Sequence, residues 1–261
     1  MDLGLAGRRA IVTGGSKGLG FAIAAELLAE GASVAICSRH GDELDAAAGQ
    51  LGKEAAGTVI AQVCDVTDPA KAASFIETSA DALGGVDILV NNAGAAHPGR
   101  FETLTDDDWY GDYDVKLMSQ VRCTRAALPH LRRSSSPRVI NINAVYARYP
   151  DPVFLATSAN RAACLALAKA LSMELAHDGI LVNSVNIGYV VTPQWDNIHR
   201  RRAPELPAEQ FFAQLAGDEV PLGRFGRPEE VSGLVAFLAS DRASYITGAS
   251  IDIAGGMGKY L

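Results

Sequence analysis

One glycine-rich stretch near the start of the chain limits its fold more than any other feature. Residues 13–20 have the sequence Thr-Gly-Gly-Ser-Lys-Gly-Leu-Gly and join an apolar run at 9–12 to a periodic segment at 21–29. Glycines here allow a tight turn and let the N–H groups of a helix N-terminus approach a phosphate, where the helix dipole favours negative charge. A strand, a glycine turn and a helix in this order predict a dinucleotide-binding site formed by Gly14, Ser16, Lys17, Gly18, Leu19 and Gly20.

Strands and helices alternate along the rest of the chain. The apolar patterns predict strands at 33–37, 58–63, 86–90, 138–142, 180–185 and 249–253, and helices at 42–56, 69–83, from about 106 through 116 to 131, at 157–176 and at 228–239. This alternation is typical of a parallel sheet with helices on both faces and ligands beyond the carboxyl ends of the strands. We therefore expect one α/β domain over residues 1–261, a doubly wound parallel sheet of the Rossmann type with about seven strands.

The segment 189–226 interrupts this alternation. It contains prolines at 193, 204, 207 and 221 and shows little strong periodicity. Such a segment near the end of a sheet predicts a mobile flap over the ligand.

Composition narrows the classes of partner. The 261 residues are 48% hydrophobic and 20% charged, with a net charge of −7, which argues against nucleic acid or an anionic membrane and favours a small-molecule substrate. The four cysteines are scattered, without metal-ligand spacing, so we expect reduced thiols and no metal site. Residues 1–5 lack the features of a signal peptide, so we expect a cytoplasmic protein.

Further motifs follow the glycine turn in a fixed order. They are Asp65, Asn-Asn-Ala-Gly at 91–94, Gly188-Tyr189, Thr192-Pro193, and Pro-Leu-Gly-Arg-Phe-Gly at 221–226. Together they resemble the short-chain dehydrogenase/reductase family over nearly the whole chain. The resemblance implies a homodimer or homotetramer and a nucleotide site in which the glycine turn holds the pyrophosphate. It also implies further cofactor contacts from Asp65, Val66, Asn91, Ala93, Gly94, Arg161, Gly188, Val190 and Thr192, with Asp65 at the adenine and Thr192 near the nicotinamide amide.

The end of the second strand indicates which nicotinamide cofactor is preferred. An acidic residue there would hold the ribose hydroxyls of NAD, whereas this strand ends at Ser38-Arg39. With Lys17 in the nearby turn, two cations and no carboxylate favour the 2′-phosphate of NADP. We therefore expect NADP(H) as the cofactor.

The four positions at which the family carries catalytic Asn, Ser, Tyr and Lys are all different in this chain. The resemblance aligns them with Lys116, Ala144, Thr157 and Arg161. Loss of the phenol removes a general acid worth about 10²–10⁴-fold in rate. We therefore expect a substrate whose carbonyl is already activated, such as a quinone, an extended enone or a ketone hydrogen-bonded to its own phenol. Lys116 and Arg161 would stabilise its oxyanion.

These observations favour an NADPH-dependent reductase of an activated carbonyl on an aromatic or polyketide-like molecule. The candidate catalytic residues are Lys116, Arg161, Tyr146 and Thr157, and the candidate substrate contacts are Ala144, His97, Tyr189 and Trp195. Two alternatives remain open at this stage. One is a catalytically silent homologue that pairs with an active partner, and the other is a non-redox isomerase, cyclase or dehydratase.

Overall fold

The computed structural model of the protein describes residues 2–53, 55 and 57–258. Residues 1, 54, 56 and 259–261 of the predicted domain, including the end of the helix predicted at 42–56, lie outside the described residues. Within the described part, seven parallel strands form one sheet in the order β3-β2-β1-β4-β5-β6-β7, which confirms the predicted fold class. The strands are β1 Arg9–Thr13, β2 Ser33–Ser38, β3 Val59–Val63, β4 Ile88–Asn91, β5 Arg138–Ala144, β6 Leu181–Ile187 and β7 Ser250–Ile253.

Helices cover both faces of the sheet and its carboxyl edge. The α-helices are α1 Gly18–Ala29, α2 Gly41–Leu51, α3 Pro69–Leu83, α4 Asp106–Tyr113, α5 Ser119–Leu131, α6 Leu155–Glu174, α7 Pro193–Arg202, α8 Ala208–Glu219 and α9 Pro228–Ala239. None of the helices in the described ranges has the length and apolar character needed to span a membrane.

Two apolar clusters explain why the strands lie between layers of helices. Successive side chains of a strand point to opposite faces, so Ala10 and Val12 of β1 pack with α1, α2 and α9, whereas Ile11 packs with α3 and α5. The inner strands are therefore buried on both faces, as expected for a parallel sheet covered on two sides. Most of their side chains are apolar, but β5 and β6 also carry buried polar side chains such as Asn143 and Asn186. Polar loops and α7 lie at the carboxyl edge of the sheet.

The stretch from about 106 to 131, for which the sequence predicts helices, contains α4 and α5. A π-helical turn at Asp114–Met118 separates α4 from α5. Such turns insert one extra residue into an α-helix and are frequent at functional sites. This turn carries the buried side chain of Lys116 into the interior.

The segment 189–226 contains two helices, α7 and α8, which its weak periodicity did not predict. Its two ends are joined, because Gly226 donates a backbone hydrogen bond to Tyr189 O (2.8 Å) and Val191 donates one to Gly226 O (2.9 Å). Between them lies a third apolar cluster, which we call the cap cluster, formed by Val145, Tyr189, Trp195, Ile198, Ala203, Phe211, Ala216, Val220, Phe225 and Met257.

Candidate active site

The loops that follow β1 to β6 open into one cavity of about 890 Å³, which is within the range of small-molecule sites. The glycine turn and α7 both line the cavity, and the start of α7 lies near the turn, because a Cβ added to Gly18 would lie 3.4 Å from Cβ of Thr192. Most of the site residues predicted from the sequence line it, namely Gly14, Ser16, Lys17, Gly18, Leu19, Gly20, Arg39, Val66, Ala93, Gly94, Lys116, Ala144, Tyr146, Thr157, Arg161, Gly188, Tyr189, Val190, Thr192 and Trp195.

Three predicted site residues lie elsewhere. The Asp65 carboxylate accepts hydrogen bonds from the Thr67 N–H and hydroxyl, so it shapes its own turn rather than the cavity wall. Asn91 is buried and donates its amide N–H groups to Asn141 and Thr124. His97 is paired with Asp108 at 3.1 Å, because its ring points toward the start of α4. None of these three residues lines the cavity, and their contact with a ligand stays a prediction.

The glycine turn and the start of α1 have the geometry of an anion-binding cradle. Gly14 and Gly18 have φ of +69° and +56°, a left-handed conformation that side chains other than glycine rarely adopt. The first turn of α1 has no side-chain cap from Lys17 and no acidic residue. Its N–H groups and its positive dipole end therefore face the cavity, and they fit the pyrophosphate of a dinucleotide.

The charges at the ribose end differ from the sequence prediction. Lys17 forms an ion pair with Glu43 of α2, a carboxylate that sequence analysis did not place at this end of the cavity. Arg39 is exposed at the end of β2 and lines the cavity, and no hydrogen bond or ion pair joins it to another described residue. The charge available to a 2′-phosphate is therefore that of Arg39.

A buried polar cluster lies beneath the middle of the cavity. Nζ of Lys116 donates a hydrogen bond to Oδ1 of Asp112, four residues earlier, and another to Oγ1 of Thr157 at 3.1 Å. The Thr157 hydroxyl donates its own proton toward Oδ1 of Asp112 (3.3 Å), and Asn160 Nδ2 donates to Oδ2 of the same carboxylate (2.8 Å). The hydroxyl proton of Thr157 thus points at Asp112 and away from a ligand.

Burial and a second cation change the protonation of Lys116. Desolvation and the neighbouring charge of Arg161 lower its pKa from 10.5 to about 8, against the opposing effect of Asp112. At neutral pH the side chain remains an ammonium, but one that titrates close to the physiological range.

Arg161 is held against the loop that follows β4. Its Nη1 donates to Ile142 O at 2.7 Å, and its backbone oxygen accepts from Asn143 Nδ2 at 3.1 Å. A Cβ added to Gly94 would lie 2.9 Å from Nη2, so the glycine permits this close approach. Nε of Arg161 is buried without a partner among the described residues. The guanidinium therefore presents unsatisfied donors near the cavity, and it stays charged although burial lowers its pKa.

Aromatic rings form the other wall of the cavity. The Tyr146 hydroxyl donates to the Tyr189 hydroxyl at 3.2 Å, which directs the Tyr146 proton away from a ligand. Tyr189 packs on Trp195 and Phe225, with ring centroids 4.6 Å and 5.2 Å away. Burial raises the pKa of both tyrosines. This wall presents aromatic and apolar surface to the cavity.

Sequence reasoning missed two groups of residues that organise the site. Asn92 Nδ2 donates to the backbone oxygens of Thr13 and Gly14, and it thereby fixes the glycine turn against β4. Asp112 and Asn160 complete the buried cluster. A sequence signal existed for these two residues, because Asp112 precedes Lys116 by four residues and Asn160 follows Thr157 by three, spacings that bring side chains together on a helix.

Comparison with known proteins agrees with this arrangement. The family model adh_short_C2, described as Enoyl-(Acyl carrier protein) reductase, matches residues 14–258. A Streptomyces virginiae protein named for ketoacyl reduction in the monensin polyketide synthase is 36% identical over 259 residues, 97% of this chain and 98% of the relative.

Two solved structures share both the fold and the length. L-sorbose reductase from Gluconobacter frateurii, in complex with NADPH and L-sorbose, is 31% identical over 100% of both chains, with a TM-score of 0.96. An NADPH-bound short-chain oxidoreductase from Pseudomonas aeruginosa PAO1, described as containing an atypical catalytic center, is 37% identical over 97% of both chains, with a TM-score of 0.90. The fold, the glycine cradle and these matches together show that the chain belongs to the short-chain dehydrogenase/reductase family.

Proposed function

We propose that the protein is an NADPH-dependent reductase of an electronically activated carbonyl on an aromatic or polyketide-like small molecule, acting without the family's catalytic tetrad. The observation that carries this proposal is the pair of buried cations, Lys116 and Arg161, beside a cavity that begins at an anion cradle. NADPH, when bound, supplies a hydride to the carbonyl carbon. The two cations stabilise the negative charge that develops on the carbonyl oxygen.

The cofactor is supported by the cradle, by Arg39 and by the solved relatives. The N-terminus of α1, Gly14 and Gly18 would hold the pyrophosphate, and Arg39 would hold the 2′-phosphate. The structures of the sorbose reductase and of the Pseudomonas oxidoreductase both contain NADPH. The protein is accordingly assigned an NADP-dependent oxidation–reduction rather than a non-redox reaction.

Hydrogen bonding around Thr157 and Tyr146 supports a mechanism without the usual proton donor. The hydroxyl proton of Thr157 is directed to Asp112, and that of Tyr146 to Tyr189. Neither hydroxyl is therefore oriented to protonate an alkoxide in the cavity. A conjugated substrate spreads this charge over its own π system, so electrostatic stabilisation by Lys116 and Arg161 is sufficient. The atypical center of the Pseudomonas relative is consistent with such a departure.

Turnover assays test the proposal directly. NADPH oxidation would be followed by absorbance with a panel of quinones, extended enones and plain ketones. We expect activated carbonyls to be reduced about 10²-fold faster than plain ketones, on the scale of a missing general acid. Equal rates would remove the activation argument. Binding of NADPH without oxidation by any compound would favour a silent partner instead.

We also propose that 189–226 acts as a lid over the substrate end and that the protein forms a homodimer or homotetramer. The joined ends of this segment and its cap cluster support a unit that moves as a whole. Hydrogen exchange that slows across 189–226 when NADPH is added would support the lid.

The exposed side chain of Met173 on α6 supports a contact between subunits. Sedimentation at micromolar concentration tests the oligomeric state.

A further inference from the structure

The carboxylate of Asp112 is buried against Lys116 at the floor of the cavity. The exposed fraction of the Asp112 side chain is 0% and that of Lys116 is 1%. Asp112 lies at the end of α4, whereas Lys116 lies in the π-helical turn. A buried charge pair of this kind costs desolvation free energy that only close geometry and further hydrogen bonds repay. Because this costly pair lies beside the cavity, it is a candidate for a functional role.

Three donors hold the Asp112 carboxylate in one orientation. Oδ1 accepts from Lys116 and from the Thr157 hydroxyl, and Oδ2 accepts from Asn160 at 2.8 Å. Two of these donors come from α6, which also carries Arg161. The carboxylate therefore joins α4 to α6 and fixes the position of Nζ of Lys116 relative to Arg161.

The charges around Lys116 leave Asp112 as the group that opposes loss of its proton. Arg161 of α6 and burial both disfavour the ammonium, while Asp112 favours it. Cys164 of α6 also faces Lys116, but burial raises the pKa of this thiol and keeps it neutral. On α5, the third helix packed here, Arg122 is paired with Asp114 and the buried His130 with Glu77.

We propose that Asp112 is a positioning residue, which, braced by Asn160, keeps Lys116 charged and directed toward the reacting carbonyl. Asp112 does not touch the substrate and acts through Lys116. The inference rests on the proposed function, because it assumes that the ammonium of Lys116 acts on the developing oxyanion. Asp112 therefore sets the highest pH at which Lys116 and Arg161 are both charged.

Nuclear magnetic resonance of the full-length protein with ¹³Cε-labelled lysine tests the pair without any turnover. The chain has six lysines, Lys17, Lys53, Lys71, Lys116, Lys169 and Lys259, and the Lys116→Met variant identifies the Lys116 signal. We expect Asp112→Asn to move the titration of Lys116 down by about one pH unit or more, because the opposing carboxylate is gone. Asp112→Glu, which keeps the charge, should restore most of this shift. An unchanged titration in Asp112→Asn would overturn the proposal.

A second measurement keeps the test valid if Asp112→Asn does not fold. In the wild-type protein with ¹³Cγ-labelled aspartate, the signal lost in Asp112→Glu identifies Asp112. This signal should move with the same midpoint as the Lys116 titration, near pH 8. A signal that stays constant through that midpoint would show that the two groups are not coupled, and it would overturn the proposal.

Kinetics then separate this inference from the reductase assignment. If activated carbonyls are reduced, the fall in kcat at high pH should begin about one unit lower in Asp112→Asn, a change that a purely structural role would not cause. If no substrate is reduced but the resonances behave as expected, the pairing stands and the reductase assignment fails. If turnover is found and the fall in kcat does not move, Asp112 is not a positioning residue.

Discussion

Nζ of Lys17 lies 2.8 Å from Oε2 of Glu43, so the cation that the glycine turn contributes to the ribose end of the cavity is already paired. The pair is half-exposed, and Lys17 lowers the pKa of the Glu43 carboxyl, which keeps that group ionised. We therefore expect discrimination between the two nicotinamide cofactors to depend on Arg39, which has no such partner among the described residues. Lys17 and Arg39 look equivalent in the sequence, but in the described part of the structure Lys17 is paired and Arg39 is not.

We predict that NADPH binds about tenfold or more tightly than NADH, a difference of roughly 1.4 kcal/mol. Arg39→Ala should remove most of this preference, because it removes the cation that meets the 2′-phosphate. Lys17→Ala should have a smaller effect, since Glu43 already neutralises that charge. Calorimetric titration of both cofactors into the three proteins measures the difference. Equal loss in the two variants would contradict the assignment of Arg39.

Gly94→Ala is expected to lower kcat without a large change in stability. The new Cβ would lie 2.9 Å from Nη2 of Arg161, so the guanidinium must move away from its position beside the cavity. Gly49→Ala on α2 is the matched control, because a Cβ there meets no atom within 4 Å. Steady-state rates and thermal melting of both variants separate the two effects. Full activity in Gly94→Ala would place Arg161 outside the chemistry.

Removal of either cation should cost about 10²-fold or more in kcat, on the scale of losing an oxyanion stabiliser. Arg161→Gln and Lys116→Gln test this, and Arg125→Gln, at an exposed position, is the surface control.

Thr157→Val should keep most of the activity, because the Thr157 hydroxyl proton is directed at Asp112. If Thr157→Val abolishes turnover, the hydroxyl is a proton donor and the proposed mechanism is wrong.

The rate of reduction should fall above about pH 8. Lys116 is protonated below its pKa of about 8 and neutral above it. At pH 9 about a tenth of the molecules would keep the ammonium, so the positive potential at the carbonyl falls as pH rises. The kcat profile from pH 6 to 10, compared with that of Lys116→Gln, checks the sign. A fall at low pH instead would indicate a group that must be deprotonated.

Tyr146→Phe is predicted to raise KM more than it lowers kcat. Its hydroxyl donates to Tyr189 and packs above the cavity, so its loss disturbs substrate contacts at a typical cost of about 1 kcal/mol per hydrogen bond. A fall in kcat of about 10²-fold or more, with KM unchanged, would instead identify Tyr146 as an acid in the reaction.

The fold and the cofactor cradle could be predicted because they depend on local patterns. The alternation of apolar runs places Ile11 and Val12 on opposite faces of a sheet, and the glycine turn can precede a helix N-terminus in few ways. The predicted fold class is confirmed on these grounds. Asn91 and His97 are instead held by residues farther along the chain, whereas Asp65 is held by Thr67, two residues later.

Contacts between separate elements could not be predicted in the same way. Glu43 reaches Lys17 from another helix, and Asn160 reaches Asp112 across 48 residues. Packing between α4, α5 and α6 sets the π-helical turn that directs Lys116 inward. The amino-acid composition of this turn does not distinguish it from an α-helix. Patterns along the chain predicted the elements, whereas the side-chain partners depended on packing in three dimensions.

The cap cluster is separate from the two apolar clusters that flank the sheet. Its aromatic members, such as Trp195 and Phe225, pack on one another rather than on the strands. Replacing them would change the shape of the substrate end while leaving the support of the nucleotide cradle in place. We therefore expect mutation of these aromatic side chains to change the shape of the cavity wall, while the start of α7 remains against the glycine turn at Gly18.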